Sequence, residues 1–173
     1  MPRSILPFVL VCAVVSIGSS AYCQDLKQKY VGGSGCRAEF QRGPGTYGIR
    51  LDYTQKAYLK AYVVEDRHLL LIIQYSDDKD QCGVIRDVVQ TDSNRDFVWD
   101  CMDPKAPHDV IVGTWRSHYI GTTGPALEAW RINPRKLEFL SIPARARCTS
   151  GPGPDDPSHD LVDYAKKRTA NFQ

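Results

Sequence analysis

Net charge is the first thing this chain has little of. Its 173 residues carry 22 Lys and Arg against 20 Asp and Glu, a formal +2, so no global field steers it toward nucleic acid. Long apolar runs are missing as well. The uncharged apolar stretch from Ile5 to Ile17 is about 13 residues, short of the roughly 20 that a helix needs to cross a bilayer. There is no C-x-x-C, no G-x-S-x-G and no H-E-x-x-H. The first absence removes the close cysteine spacing of structural zinc, and the others remove the nucleophile elbow and the zincin helix. No tandem repeat of convincing period is visible.

What is present starts at the N-terminus, "MPRSILPFVLVCAVVSIGSSAYCQDL". A lone Arg3, an apolar middle and the small residues Gly18 to Ala21 follow the order of a secretory signal peptide. Cleavage after Ala21 and after Cys23 both fit, and the parity of the cysteines favours Cys23. Cys12 then leaves with the signal, and Cys36, Cys82, Cys101 and Cys148 remain, an even number suited to two disulfides in an exported chain. The division expected is a signal peptide over 1–23, a disulfide-stapled β domain over 24–148, and a Gly/Pro tether with a short helix over 149–173. The location expected is secreted or periplasmic, with no membrane span in the mature chain.

Short β-branched and apolar runs separated by turn residues dominate the rest. They predict strands at Tyr47–Asp52, Tyr58–Val64, His68–Tyr75, Gly83–Val89, Phe97–Cys101, Asp109–Trp115, Leu127–Ile132 and Leu137–Ile142. "VVEDRHLLLII" reads as a hairpin turning at Glu65–Arg67, and "WRINPRKLEFL" as a turn that Asn133 caps and Pro134 pre-sets. "LDYTQKAYLKAYVVE" tolerates a helix, but its Tyr and Val content favours a strand pair. After the tether "TSGPGPDDPSHD", "SHDLVDYAKKR" has helix polarity, with Ser158 as N-cap, Asp160 in the first turn and basic residues in the last. The fold class is all-β, an antiparallel sandwich or partly open barrel of six to eight short strands, with a short C-terminal helix.

The stretch "CGVIRDVVQTDSNRDFVWDC", Cys82 to Cys101, supports three readings. As a hairpin closed by a Cys82–Cys101 disulfide it places Val84 opposite Trp99 and Arg86 opposite Phe97 around "QTDS", and leaves Cys36 to pair with Cys148. As a zinc site it lacks clustered ligands. As a calcium loop it places Asp92, Asn94, Asp96, Asp100 and Asp103 at EF-hand positions, but Phe97 stands where the loop needs glycine and the flanks read as strands. The hairpin is the expectation, without metal or cofactor. "GPGTYG" (Gly43 to Gly48) matches a dinucleotide fingerprint only in its glycines; strand-like "IRLDYT" follows it, so it reads as a surface turn.

Charge is unevenly spread. Eight Asp against Lys79, Arg86 and Arg95 make 77–103 acidic, and seven basic residues against Asp109, Glu128 and Glu138 make 104–150 basic. These segments are expected to neutralise each other unless a partner takes one of them. "GTWRSHY" and "EAWR", paired around Thr122–Thr123, would set Trp115 opposite Trp130 with Arg116 and Arg131 on the other face. Arg131, Arg135 and Lys136 sit on and beside a rigid Asn-Pro turn, and Arg grips carboxylates with a planar fork. The function expected is non-enzymatic binding of a macromolecule, either a secreted or envelope protein (as an inhibitor, for instance) or a polysaccharide. The contact would use Arg131, Arg135, Lys136, Trp115 and Trp130. The rivals are a small hydrolase built on His108 or His118 with Asp109, and a structural envelope component.

Overall fold

Five consecutive apolar residues, Leu69 to Ile73, are buried in one strand, although a strand alternates its side chains between two faces. Both faces of that strand are therefore covered, and this organises the molecule. In the computed structural model, residues 25–41, 48–77, 79–116, 123–143, 146–149 and 160–167 are described. Residues 25–30 form helix α1, followed by α2 (Ala38–Gln41). Four strands make the first sheet: β1 (Gly48–Asp52), β2 (Ala57–Val64), β3 (Arg67–Gln74) and β4 (Val84–Asp92), in that order. Six make the second: β5 (Arg95–Asp103), β6 (Ala106–Arg116), β7 (Thr123–Pro125), β8 (Glu128–Asn133), β9 (Glu138–Ile142) and β10 (Arg147–Thr149), ordered β7-β10-β5-β6-β8-β9. Helix α3 (Leu161–Lys167) closes the described chain. Every strand pair is antiparallel and neither sheet is closed.

The main core lies between the sheets. Leu51, Leu59, Leu70, Ile72 and Val89 face Val110, Val112, Ile132 and Phe139, and Leu161 and Ala165 of α3 complete the layer. The alternate residues of β3, Leu69, Leu71 and Ile73, face outward. There Tyr30 and Phe40, from α1 and α2, cover them and their neighbours Ile85 and Val88 on β4. A third cluster on the far side of the six-stranded sheet gathers Cys101, Cys148, Ile111, Ala126, Ala129 and Ala146. At the β2–β3 hairpin Glu65 and Asp66 have φ of 50° and 60°, as a two-residue turn matched to strand twist requires. The Asn133 turn forms as expected: its side chain accepts the N–H groups of Arg135 (3.1 Å) and Lys136 (3.3 Å), and Asn133 pairs with Glu138.

The eight expected strands are present, but the hairpin over Cys82–Cys101 is not. β4 pairs with β3 (Leu71↔Val88) and β5 pairs with β6 (Phe97↔Thr114), so the turn after Asp92 carries the chain from one sheet to the other. The disulfides change with it. They join Cys36 to Cys82 and Cys101 to Cys148, not Cys82 to Cys101 and Cys36 to Cys148. Constant index sums assume that strands adjacent in sequence pair, whereas a short corner between two sheets needs the same turn residues. Cys101 and Cys148 are direct partners across β5 and β10. Gly113 makes room for their bridge, because a Cβ there would meet Cys148 Sγ at 2.8 Å and Cys101 Sγ at 3.0 Å. Cys36–Cys82 ties the α1–α2 connection to the start of β4, where Gly32 donates to Ile85 O (2.8 Å) and Ile85 donates to Gly33 O (2.9 Å).

The register of β6 with β8 also departs from expectation. Trp130 faces Val112 and Thr114 faces Glu128, three positions from the register that would oppose the tryptophans. An odd shift puts them on opposite faces. Trp130 packs into the core between the sheets and Trp115 against the Cys101–Cys148 cluster. α3 is capped by Asp160, which was expected in its first turn: the Asp160 Oδ1 accepts the N–H of Asp163 at 2.8 Å. The signal segment 1–23, Tyr47 and the rest of "GPGTYG" before Gly48, His118, the tether from 150, Ser158 and His159 lie outside the described residues.

Candidate functional site

The outer face of the four-stranded sheet is only partly covered by α1 and α2. On β1 and β2 the inward positions are apolar, and the outward ones are Arg50, Tyr58 and Lys60. The register sets Arg50 beside Tyr58. With Tyr53 and Lys56 from the β1–β2 turn, and Tyr75, Asp77 and Asp80 beyond β3, they line an open groove of about 570 Å³. That size lies within the roughly 300–1,000 Å³ of small-ligand sites.

Arg50 is the organising group. Its guanidinium lies 4.9 Å from the Tyr53 ring centre and 5.5 Å from that of Tyr58, and its Nε donates to the Tyr58 hydroxyl at 3.2 Å. Tyr58 meets Tyr75 edge to face at 5.3 Å, and Lys60 Nζ lies 5.2 Å from the Tyr75 ring centre. Each ring offers its negative face to a cation. Among the described residues neither Arg50 nor Lys60 forms a salt bridge, so two positive charges are held in place by aromatic rings and not by carboxylates.

The rim is rigid at its base. Asp52 Oδ1 accepts the N–H groups of Thr54 (2.8 Å) and Gln55 (3.1 Å), which folds the turn, and Lys56 takes a φ of 51° to leave it. The Tyr53 N–H donates to Asp160 Oδ2 at 2.6 Å, so the carboxylate that caps α3 also anchors the rim. Burial pushes the Asp52 carboxyl up, but the hydrogen bonds from Thr54 and Gln55 outweigh it and the pKa is lowered. Tyr53 itself is 68% exposed on this fixed base.

At the other end Asp80 binds its own loop. Its oxygens accept the N–H groups of Gly83 (2.9 Å), Ser76 (3.1 Å) and Cys82 (3.0 Å), which hold its pKa down at about 2. Asp77 Oδ1 accepts from Lys79 and Asp80, both at 2.8 Å. Asp80 is thus a fixed anion and a poor proton donor near neutral pH. The groove thus gathers a planar cation, two lysines and three phenols with the carboxylates of Asp77 and Asp80.

The residues singled out from the sequence are not brought together. Trp115 and Trp130 are half-buried in separate clusters. Arg131 pairs with Asp109 at 3.2 Å, which occupies the carboxylate expected to serve His108. Lys136 lies 3.8 Å from Glu138. Arg135 and Lys136 do project from their turn, whose Pro134 carbonyl accepts from Gln55 Nε2, so this hairpin leans on the turn that carries Tyr53 and Lys56. Arg95 of the acidic segment reaches Glu128 of the basic one at 3.1 Å, a pairing with the signs exchanged. The acidic residues of the calcium reading have separate partners: Asp96 faces His68 (3.6 Å), Asp100 accepts from the Tyr164 hydroxyl, and Asp103 accepts from Lys105 N.

Sequence reasoning missed the groove, although a signal was there. "IRLDYTQKAYLK" alternates apolar with Arg, Tyr and Lys at period two, the pattern of a half-buried strand pair whose outward face is aromatic and basic. Comparison with protein-family models, curated proteins and solved structures finds no match, so the reading of this site rests on its own geometry.

Proposed function

We propose that this chain is an exported β-sandwich module that works by binding an anionic macromolecule, without catalysis, through the Arg50–Tyr53–Tyr58 groove. The proposal keeps the division into a signal peptide over 1–23, a stapled domain over 24–148 and a tethered helix over 149–173. Two disulfides fit an oxidising compartment, and the N-terminal order of charge, apolar run and small residues fits export. The observation that carries the reading is the Arg50 guanidinium set between two tyrosine rings with no acidic partner among the described residues. Arg placed this way is pre-organised, so little side-chain entropy remains to be lost when an anion docks.

The contact surface therefore moves from the Trp115/Trp130 pair to the outer face of the four-stranded sheet. The Arg135–Lys136 turn stays as a flank that adds charge. The test is capture of extracellular proteins and polysaccharides on the immobilised oxidised chain, set beside an Arg50→Ala/Tyr53→Ala variant of equal stability. Material retained by the parent and lost by the variant is the expected result. Equal retention by both would remove the groove from the function.

A further inference from the structure

We infer that the groove's ligand is an acidic polysaccharide, with carboxylate or sulfate groups on its sugar rings; this rests on the groove being the binding surface. The groove lies on the face of a sheet and not along an edge: Tyr58 and Lys60 stand on β2, whose backbone is paired on both sides, with β1 and with β3. A peptide recognised by strand addition needs a free edge. Helical and extended peptides otherwise need apolar pockets for their anchors, and none of the lining residues is aliphatic.

What it offers matches a charged sugar chain. Tyr53 presents an exposed ring at the rim, and the C–H groups of a pyranose carry the partial positive charge that a ring's negative face attracts. The Arg50 fork, with only its Nε committed to Tyr58, is shaped for a carboxylate or sulfate on that sugar. Lys60, held over Tyr75, supplies a second cation for the next acidic group. Asp77 completes the set. Its Oδ1 is used by the loop, but no described residue donates to Oδ2, which leaves an acceptor for a sugar hydroxyl.

Single-stranded nucleic acid also joins charge to stacking. It fits less well here. Successive stacked bases need successive open ring faces, whereas Tyr58 lies under the Arg50 guanidinium and Tyr75 under the Lys60 ammonium, which leaves Tyr53 as the strongly exposed ring.

The experiment is titration calorimetry of the oxidised full-length mature chain against four anionic probes and one neutral one. The anionic probes are a polyuronate oligosaccharide, a sulfated glycosaminoglycan oligosaccharide, polyglutamate and oligo-dT, and dextran is the neutral control. At least one acidic glycan is expected to bind about tenfold or more tighter than polyglutamate and oligo-dT, with dextran silent. The two acidic glycans distinguish carboxylate from sulfate as the group recognised. Arg50→Lys, which keeps charge but loses the fork, and Tyr53→Ala, at an exposed position, are each expected to weaken that binding about tenfold. If polyglutamate or oligo-dT binds as tightly and Arg50→Lys weakens it, the groove stands and the glycan assignment falls. If no probe responds to either variant, the groove reading falls as well.

Discussion

Asp87 on β4 accepts the backbone N–H of Phe139 on β9 at 2.7 Å, and this bond joins the edges of the two sheets. The same carboxylate holds Lys27 of α1 at 2.9 Å and is only 3% exposed. Sheet edges expose unpaired backbone groups that invite aggregation. Here one buried side chain occupies part of both edges and fastens a helix over them. Asp87→Ala leaves the Phe139 N–H and the Lys27 ammonium without that partner, for an expected loss of about 2–3 kcal/mol in urea unfolding. Lys27→Ala should cost under about 1 kcal/mol, because that ammonium is partly solvated. An Asp87→Ala variant within about 0.5 kcal/mol of the parent would show that the seam does not depend on this group.

The disulfides enclose loops with sequence separations of 46 and 47, so chain entropy alone makes them equal, about 4 kcal/mol each in that model. Packing separates them. Cys101 and Cys148 are fully buried on Gly113, whereas Cys36 and Cys82 are part-exposed. Mild reductant should open Cys36–Cys82 first, and replacing Cys101 and Cys148 by Ala should destabilise more than replacing the other pair. Peptide mapping without reduction should recover Cys36 with Cys82; a peptide joining Cys82 to Cys101 would contradict the strand order itself. Gly113→Ala is expected to cost roughly 1–3 kcal/mol by overpacking the bridge.

Low pH should act on the 76–83 loop through Asp80. Hydrogen bonds from Gly83, Ser76 and Cys82 lower its folded pKa from the ordinary 3.8 to about 2. The folded state therefore binds this proton less readily than the unfolded chain. The resulting stability is present in full above about pH 4 and is lost as pH falls through about 2. An NMR titration of the Gly83 amide should show its midpoint near 2, and Asp80→Asn should remove that step. A midpoint near 4 would mean that the three hydrogen bonds are not formed in solution.

Much of the fold was legible because strand period and turn chemistry are local. The β2 strand, the Asn133 cap and the turn expected at Glu65–Arg67, which Glu65 and Asp66 form, all follow from neighbours in sequence. What failed was long-range pairing. The turn after Asp92 looks the same whether the chain folds back or crosses to another sheet, and three-residue strands such as β7 and β10 carry too little pattern to be seen. The groove was hidden for a related reason. Arg50, Tyr58 and Tyr75 converge only through the registers of β1 with β2 and β2 with β3.

The basic turn at Arg135 and Lys136 gives the last prediction. Both side chains are exposed, and among the described residues the Lys136 ammonium reaches only Glu138, at 3.8 Å. Changing both to Ala should keep stability within about 0.5 kcal/mol. If the turn flanks the groove as an electrostatic guide, association with an anionic ligand should slow in the double variant and lose part of its salt dependence, while dissociation is nearly unchanged. Arg50→Ala should do the reverse, speeding dissociation, because its guanidinium is fixed between two rings at the contact. Stopped-flow kinetics at two salt concentrations separates them. A double variant with faster dissociation would place the turn inside the contact, and one with unchanged kinetics would confine the site to the outer face of the four-stranded sheet.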